Sequence, residues 1–266
     1  MAFTVPSRID DDSNTLIFKN LLPSKPTPDK ACRMPHQPSR ELERRLAALD
    51  RIYAIFDKFI ASYDLACRSA CATCCTANMT LTTLEGYRIV SRMNIRERKR
   101  LVDHMKTAGG SPRFQPRLSI NTIAKRCRDG KPIPDETPDP SWGKCLLLAG
   151  DLCSMYALRP FGCRCMVSRT NCRQTGYADM DDFILTVNNL FMQTIEHMDP
   201  YGGTGNLIDI LLYFFRPENL ETYRHTMKVL DVNGLAPNRP IPVLMVPPEH
   251  GQRVERILEK LRKATA

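Results

Sequence analysis

From Ser39 onward, Leu42, Leu46, Leu49, Ile52, Ile55, Phe56, Phe59 and Tyr63 recur at intervals of three and four. That period predicts an amphipathic helix running toward Cys67. Thr82 and Glu85 have the spacing of a capping box, and Tyr87, Ile89, Val90 and Met93 give the helix behind it an apolar side. After an interruption the pattern resumes at Leu101 and Met105, and Gly109, Gly110 and Pro112 end it. Residues 117–128 predict a short basic helix, and 131–142 a Pro-rich loop that also carries acids. Apolar residues on either side of Ala149-Gly150-Asp151 predict two short strands around a turn. Phe183, Val187, Leu190, Phe191 and Ile195 form the buried side of a helix reaching Met198, with Asp179 as its predicted cap. Further helices are expected over 205–215, 217–231 and 249–264, where Pro217 and Pro248 suit helix starts.

These elements predict a mainly α fold, a helical domain with a small β-hairpin and a cysteine-rich metal site. Nothing alternates as βαβ units would. Residues 1–38, with six prolines and little periodicity, are expected to be an extended or partly disordered arm. Residues 39–200 form the expected cysteine-cluster domain and 201–266 a C-terminal helical extension. The last helix, with Val254, Ile257, Leu258 and Leu261 opposite charged residues, is expected to cover the protein's own core.

With 266 residues, 42% of them hydrophobic, the chain can bury a core without help from a metal. The start, MAFTVPSRIDDDS, lacks a basic region followed by an apolar one, so no signal peptide is read. The most apolar run, Leu207 to Phe215, contains Asp209 and is too short to span a bilayer. The expectation is a soluble, cytoplasmic protein without membrane association. In a reducing compartment, eleven cysteines point to thiolate ligands rather than a disulfide framework, and an odd number cannot pair fully.

The net charge of +9 is concentrated between Arg92 and Lys131, where twelve Lys or Arg face three acids. An acidic macromolecular partner could dock there. No aromatic interleaving or nucleic-acid motif accompanies the stretch, so a solvated helix face is the favoured reading.

Candidate ligands fall in two groups. Cys67, Cys71, Cys74 and Cys75 make up CRSACATCC; on a helix they would span an arc of about 100°, too wide for one ion to collect all four. Cys145, Cys153, Cys163 and Cys172 supply the second group. Eight thiols suffice for two four-thiolate sites, or for one cluster with extra structural thiols. Arg68, Arg159 and Arg164, with Arg169 and Arg173, lie close to these cysteines in sequence, and cationic donors around sulfur offset thiolate charge.

The two stretches CRSACATCC (67–75) and GKCLLLAGDLCSMYALRPFGCR (143–164) resemble the CxxCxxCC family, the YkgJ-type cysteine-cluster proteins named for zinc or iron chelation. The resemblance spans roughly residues 65–175 and includes Tyr156, Arg159-Pro160 and Cys163-Arg164. It implies zinc or iron, with a 4Fe-4S cluster as one form, held by Cys67, Cys71, Cys74, Cys75, Cys145, Cys153, Cys163 and Cys172. Cys165 competes with Cys163 for one position, and Cys32 and Cys127 fall outside the pattern. No reaction follows from the family.

Rival chemistries are weaker. CxxxCxxC is also the radical S-adenosylmethionine spacing, but Thr73 replaces the usual aromatic residue and no barrel repeats follow. Flagellin lysine methylases resemble this family, which leaves an iron–sulfur enzyme such as a protein methyltransferase as the alternative. No HExxH motif supports metal-assisted hydrolysis, and Glu196 beside His197 is expected on a helix face. Gly202-Gly203-Thr204-Gly205 lacks a Walker lysine and is expected to be a turn.

Overall fold

A computed structural model describes residues 39–108, 110–229 and 232–266. The predicted arm over 1–38, with Cys32, lies outside the described residues. Ser39 caps α1 (Arg40–Ile60) by accepting from the Leu42 N–H, which satisfies one of the first-turn donors. The predicted stripe is the buried side: Leu42, Leu49, Ile52 and Phe56 are fully enclosed. Much of their cover comes from α10 (Gly251–Thr265), which presents Val254, Ile257 and Leu261 and whose Ala264 carbonyl accepts from Arg51. The C-terminal helix thus covers the protein's own core.

The capping box forms as its spacing predicts. Thr82 Oγ1 accepts from Glu85 N–H and the Glu85 carboxylate accepts from Thr82 N–H at the start of α2 (Thr83–Arg92). The interruption separates α2 from α3 (Ile95–Ala108), and the short basic helix is α4 (Ile120–Arg128). The helix through the 180s is α7 (Asp182–His197), but its cap is Asp181 rather than Asp179. Asp179 is committed elsewhere: its N–H donates to Ser168 Oγ, its carbonyl accepts from Arg169 N–H, and its carboxylate pairs with the Arg169 guanidinium at 2.8 Å.

Two expectations near the C-terminus are corrected. Gly202 to Gly205 is not a free turn, because residues 203–206 form the central strand of a small antiparallel sheet. Strand β4 (Gly203–Asn206) lies between β1 (Thr80–Thr82) and β5 (Leu235–Pro237), with Thr82 opposite Thr204 and Gly205 opposite Leu235. A Cβ at Gly205 would meet Leu235 Cδ2 at 2.1 Å, so close approach rather than anion binding explains that glycine. The helix expected over 217–231 ends as α9 (Pro217–Thr226), where Met227 takes a left-handed conformation (φ 53°). Before it comes α8 (Leu207–Phe214), capped by Asn206.

The aromatic centre of the core fixes the cysteine region. Phe161 stacks on Phe191 of α7 at 5.5 Å and meets Phe56 edge-on at 4.8 Å. It opens the short helix α5 (Phe161–Arg164), so the core anchor sits two residues before Cys163. The N–H of Phe161 donates to Glu85 Oε1 at 2.7 Å, and Tyr53 Oη donates to the same oxygen at 2.7 Å. One buried carboxylate therefore joins α1, α2 and the start of α5. Among the described residues, no helix is long and apolar enough to cross a membrane.

Candidate metal centre

The first cysteine segment is not helical, which removes the expected helical arc. Residues 67–75 run through successive turns, with Cys71 N–H donating to Arg68 C=O and Cys75 N–H to Ala72 C=O, both at 3.1 Å, and Ala70 at φ 64°. The spacing CxxxCxxCC leaves no room for an apolar stripe, so no face exists to hold a helix against the core.

Backbone hydrogen bonds stitch this segment to the second one at both ends. At one end Ala66 N–H donates to Ser168 C=O at 2.9 Å, bringing Cys67 toward α6 (Cys172–Thr175). At the other, Cys145 N–H donates to Cys75 C=O and Ala77 N–H to Gly143 C=O, both at 2.9 Å, around a bridge between Thr76 and Lys144. The predicted hairpin follows, with β2 (Leu148–Ala149) paired to β3 (Leu152–Cys153) and Leu148 opposite Cys153. Gly150 turns it at φ 64°, a conformation glycine adopts without the steric cost of a Cβ.

The stitched segments enclose a cavity of about 110 Å³ lined by Cys67, Cys71, Cys74, Cys75, Cys145, Cys153 and Cys163. Met79, Met155 and Met166 contribute thioethers to the same walls, while no His, Asp or Glu lines it. Cys172 lines the adjoining groove, which Cys74 and Met79 share. Cys165 is absent from the cavity walls; it is buried and its thiol donates to Gly162 C=O at 3.4 Å. Burial pushes the Cys165 thiol up to about 12. Cys127 is exposed on α4 and lines a different groove.

The thiols also act on one another. Burial raises the Cys67 thiol, and the neighbouring Cys71, Cys74 and Cys172 sulfurs add to the rise. Burial likewise raises Cys163, with Cys145, Cys153 and Cys165 acting in the same direction. Cys75 feels Cys163, Cys145 and Cys153, although the hydrogen bond donated by Cys74 dominates and holds it below the ordinary thiol range. That bond, together with burial, raises Cys74. Cys67 thus lies near Cys71, Cys74 and Cys172, and Cys75 near Cys145, Cys153 and Cys163, while the Cys74–Cys75 hydrogen bond joins the two groups. Among the described residues, no three Cys, His, Asp or Glu side chains already surround a common point as an ion requires.

Residues 66–183 match the CxxCxxCC family model, described as a putative zinc- or iron-chelating domain. Over these residues the chain is similar to the CxxCxxCC family. Neither the curated proteins nor the solved structures contain a match to the chain. The matched segment begins beside Cys67 and ends in the first turn of α7, so it takes in both stitched stretches.

The arginines occupy different places around this domain. Arg68 and Arg159 line the thiol cavity. Arg159 stacks on the Tyr156 ring at 4.0 Å, and its Nε is buried without a hydrogen-bond partner. Arg164 turns to α1, where Nη1 pairs with Asp57 at 2.9 Å and the guanidinium lies 4.5 Å from the centre of the Tyr53 ring. Its Nε donates to the Arg159 carbonyl at 3.1 Å. Arg173 pairs with Asp151 of the hairpin turn at 2.9 Å.

Three residues do more than their local sequence signals: Met79 lines the thiol cavity, Glu85 holds the Phe161 N–H as well as capping α2, and Glu196 does more than occupy a helix face. Glu196 is buried and its carboxylate accepts from Asn121 N–H at 2.9 Å and Arg239 N–H at 2.7 Å. The apolar residues at 190, 191 and 195 around it were the available signal.

Proposed function

We propose that the chain holds zinc or iron through two thiolate quartets, Cys67/Cys71/Cys74/Cys172 and Cys75/Cys145/Cys153/Cys163. The observation carrying this reading is the pair of backbone stitches, which bring two distant cysteine segments around one cavity while pairing Cys67 with the Cys172 side and Cys75 with Cys145. The donor set suits a soft or borderline cation: thiols surrounded by thioethers, with no carboxylate or carbonyl cage of the kind calcium or magnesium needs. Buried thiols resist ionisation singly, and a bound divalent cation supplies the charge that lets several ionise together. Either quartet has the composition for tetrahedral zinc or for a 4Fe-4S cluster.

The chain's own groups prepare such a site. Arg159 and Arg68 place positive charge beside sulfurs that would carry a net negative charge once ligated. Phe161, held in the core, and Glu85, accepting its N–H, fix the start of the helix bearing Cys163. The irregular 67–75 segment can draw its sulfurs inward without breaking helical hydrogen bonds. Ten unpaired cysteines among the described residues suit a reducing, cytoplasmic setting.

Anaerobic purification without added metal, with elemental analysis and a visible spectrum of one sample, tests the reading. Stoichiometric zinc or iron supports it; a folded protein with neither metal sinks it. Iron with sulfide and broad visible absorbance would select the cluster form.

An iron–sulfur enzyme acting on a macromolecule is the second reading. One observation favours it: the groove bearing Cys74 and Cys172 continues past Met192 and Phe114 into a separate apolar cavity. A macromolecule of acidic character would meet α3, where Arg96, Lys99 and Arg100 are exposed. Part of the remaining basic stretch is ion-paired, Arg92 with Asp50, Arg113 with Asp209, and Lys125 and Arg128 with the one carboxylate of Asp129.

A further inference from the structure

Strand β1, the start of α4, the middle of α7 and the Pro-rich loop over 131–139 border a cavity of about 310 Å³, in the size range of small-molecule sites. Its walls are mainly apolar, with Phe114, Leu118, Ile120, Ile123, Met192 and Ile195 among them.

The carboxylates along the walls are already engaged within the fold. Glu85 accepts from Tyr53, Phe161 and Thr82, and Glu196 from the Asn121 and Arg239 N–H groups. Glu136 accepts from Arg117 N–H at 3.0 Å and pairs with the Arg117 guanidinium at 3.9 Å. The Thr82 hydroxyl donates to Glu85 and the Thr204 hydroxyl to Asn238. None of these side chains needs a partner from a ligand, so what the cavity chiefly offers is apolar contact.

Charge narrows the class further. No Lys, Arg or His lines the cavity, whereas Glu85, Glu136 and Glu196 do. An anion would enter an apolar space with no cation to pair it and with like charge in the walls. A cation gains little, because each carboxylate is held by its own donors, and freeing an oxygen costs about what the new bond returns. Burial already raises the Glu196 carboxyl above its ordinary range, as an apolar surround does.

We infer that this cavity binds a neutral, apolar small molecule, held by contact with its walls and by no ion pair. The groove that shares Thr80, Phe114, Gly162 and Met192 with the cavity also reaches Cys74 and Cys172, so a bound molecule would lie next to the thiol centre. The binding site is independent of the metal reading, since none of its residues is one of the eight cysteines.

Calorimetric titration of the full chain as purified with toluene, benzoate and benzylammonium tests this, because the three share a ring and differ in charge. Toluene should bind with a Kd of about a millimolar or below, and each ion about tenfold more weakly or worse. Leu118→Trp and Ile123→Trp each put a larger side chain into the cavity, and either one, if folded by circular dichroism, should weaken toluene binding about tenfold or more. No toluene binding up to its solubility in water would overturn the inference. Benzoate or benzylammonium binding as tightly as toluene would also overturn it. Unchanged toluene affinity in a folded Trp variant would do the same, because it would place the ligand elsewhere. Elemental analysis of the same sample keeps these outcomes apart from the metal reading.

Discussion

Glu85→Gln tests the link between the helical core and the metal centre. The wild-type carboxylate is 3% exposed and accepts four hydrogen bonds: Tyr53 Oη and Phe161 N at 2.7 Å on Oε1, Thr82 N at 2.9 Å and Thr82 Oγ1 at 3.1 Å on Oε2. Glutamine keeps the shape but replaces one oxygen with an NH₂ group. Turned one way, its NH₂ faces the Thr82 N–H, and the capping box opens. Turned the other, it faces Phe161 N–H and Tyr53 Oη, and the start of α5 loses its anchor. The Thr82 and Tyr53 hydroxyls can rotate away, so at least one backbone N–H is left buried without an acceptor in either case. Each orphaned buried donor costs about 1–3 kcal/mol, and the lost charge-assisted bonds add to it, for a total of about 2–4 kcal/mol. For a domain of this size that corresponds to a fall in Tm of roughly 4–16 °C. The measurement is thermal unfolding by near-ultraviolet circular dichroism after chelation, so that metal binding does not contribute to the difference. A Tm equal to that of wild type would refute the four-acceptor arrangement.

Other substitutions address other parts of the molecule. Cys71→Ser and Cys75→Ser should each remove about half of the bound metal by elemental analysis, since they fall in different quartets; loss of all metal in either single variant would show that the quartets are not independent. Gly162→Ala should destabilise by about 1–3 kcal/mol in urea unfolding, because its Cβ would lie 2.7 Å from Thr80 C=O, a backbone atom that cannot swing aside. Asp199 is buried among Thr83, Leu84, Tyr223 and Asn238, and burial pushes its carboxyl up to about 7. The folded state then binds the proton more tightly than the unfolded state, so this group's stabilisation is complete below about pH 4 and declines as pH rises to 7. Comparing wild type with Asp199→Asn across that window should show the wild-type decline flattened in the variant; parallel curves would rule the assignment out.

What the sequence disclosed, and what it did not, follows from the range of the interactions involved. Helices α1, α2, α7 and α10 were legible because their apolar stripes repeat every three or four residues, and in α1 and α2 a local cap marks the start. The two cysteine stretches were legible for the same reason: ligand spacing is written along the chain. Strands β1, β4 and β5 were not, since they are only three or four residues long and exist only by pairing with distant segments, β1 with β4 across more than a hundred positions. The proposed division of the thiols likewise rests on distant contacts, Ala66 with Ser168 and Cys75 with Cys145. No spacing within CRSACATCC signals the proposed assignment of Cys74 and Cys75, adjacent in sequence, to different quartets. The turns over 67–75 make that divergence possible, because neighbouring side chains need not share a helical face once the helix is gone. A cluster motif of this kind therefore specifies its donor atoms locally, while the pairing of the two segments decides which donors could meet one ion.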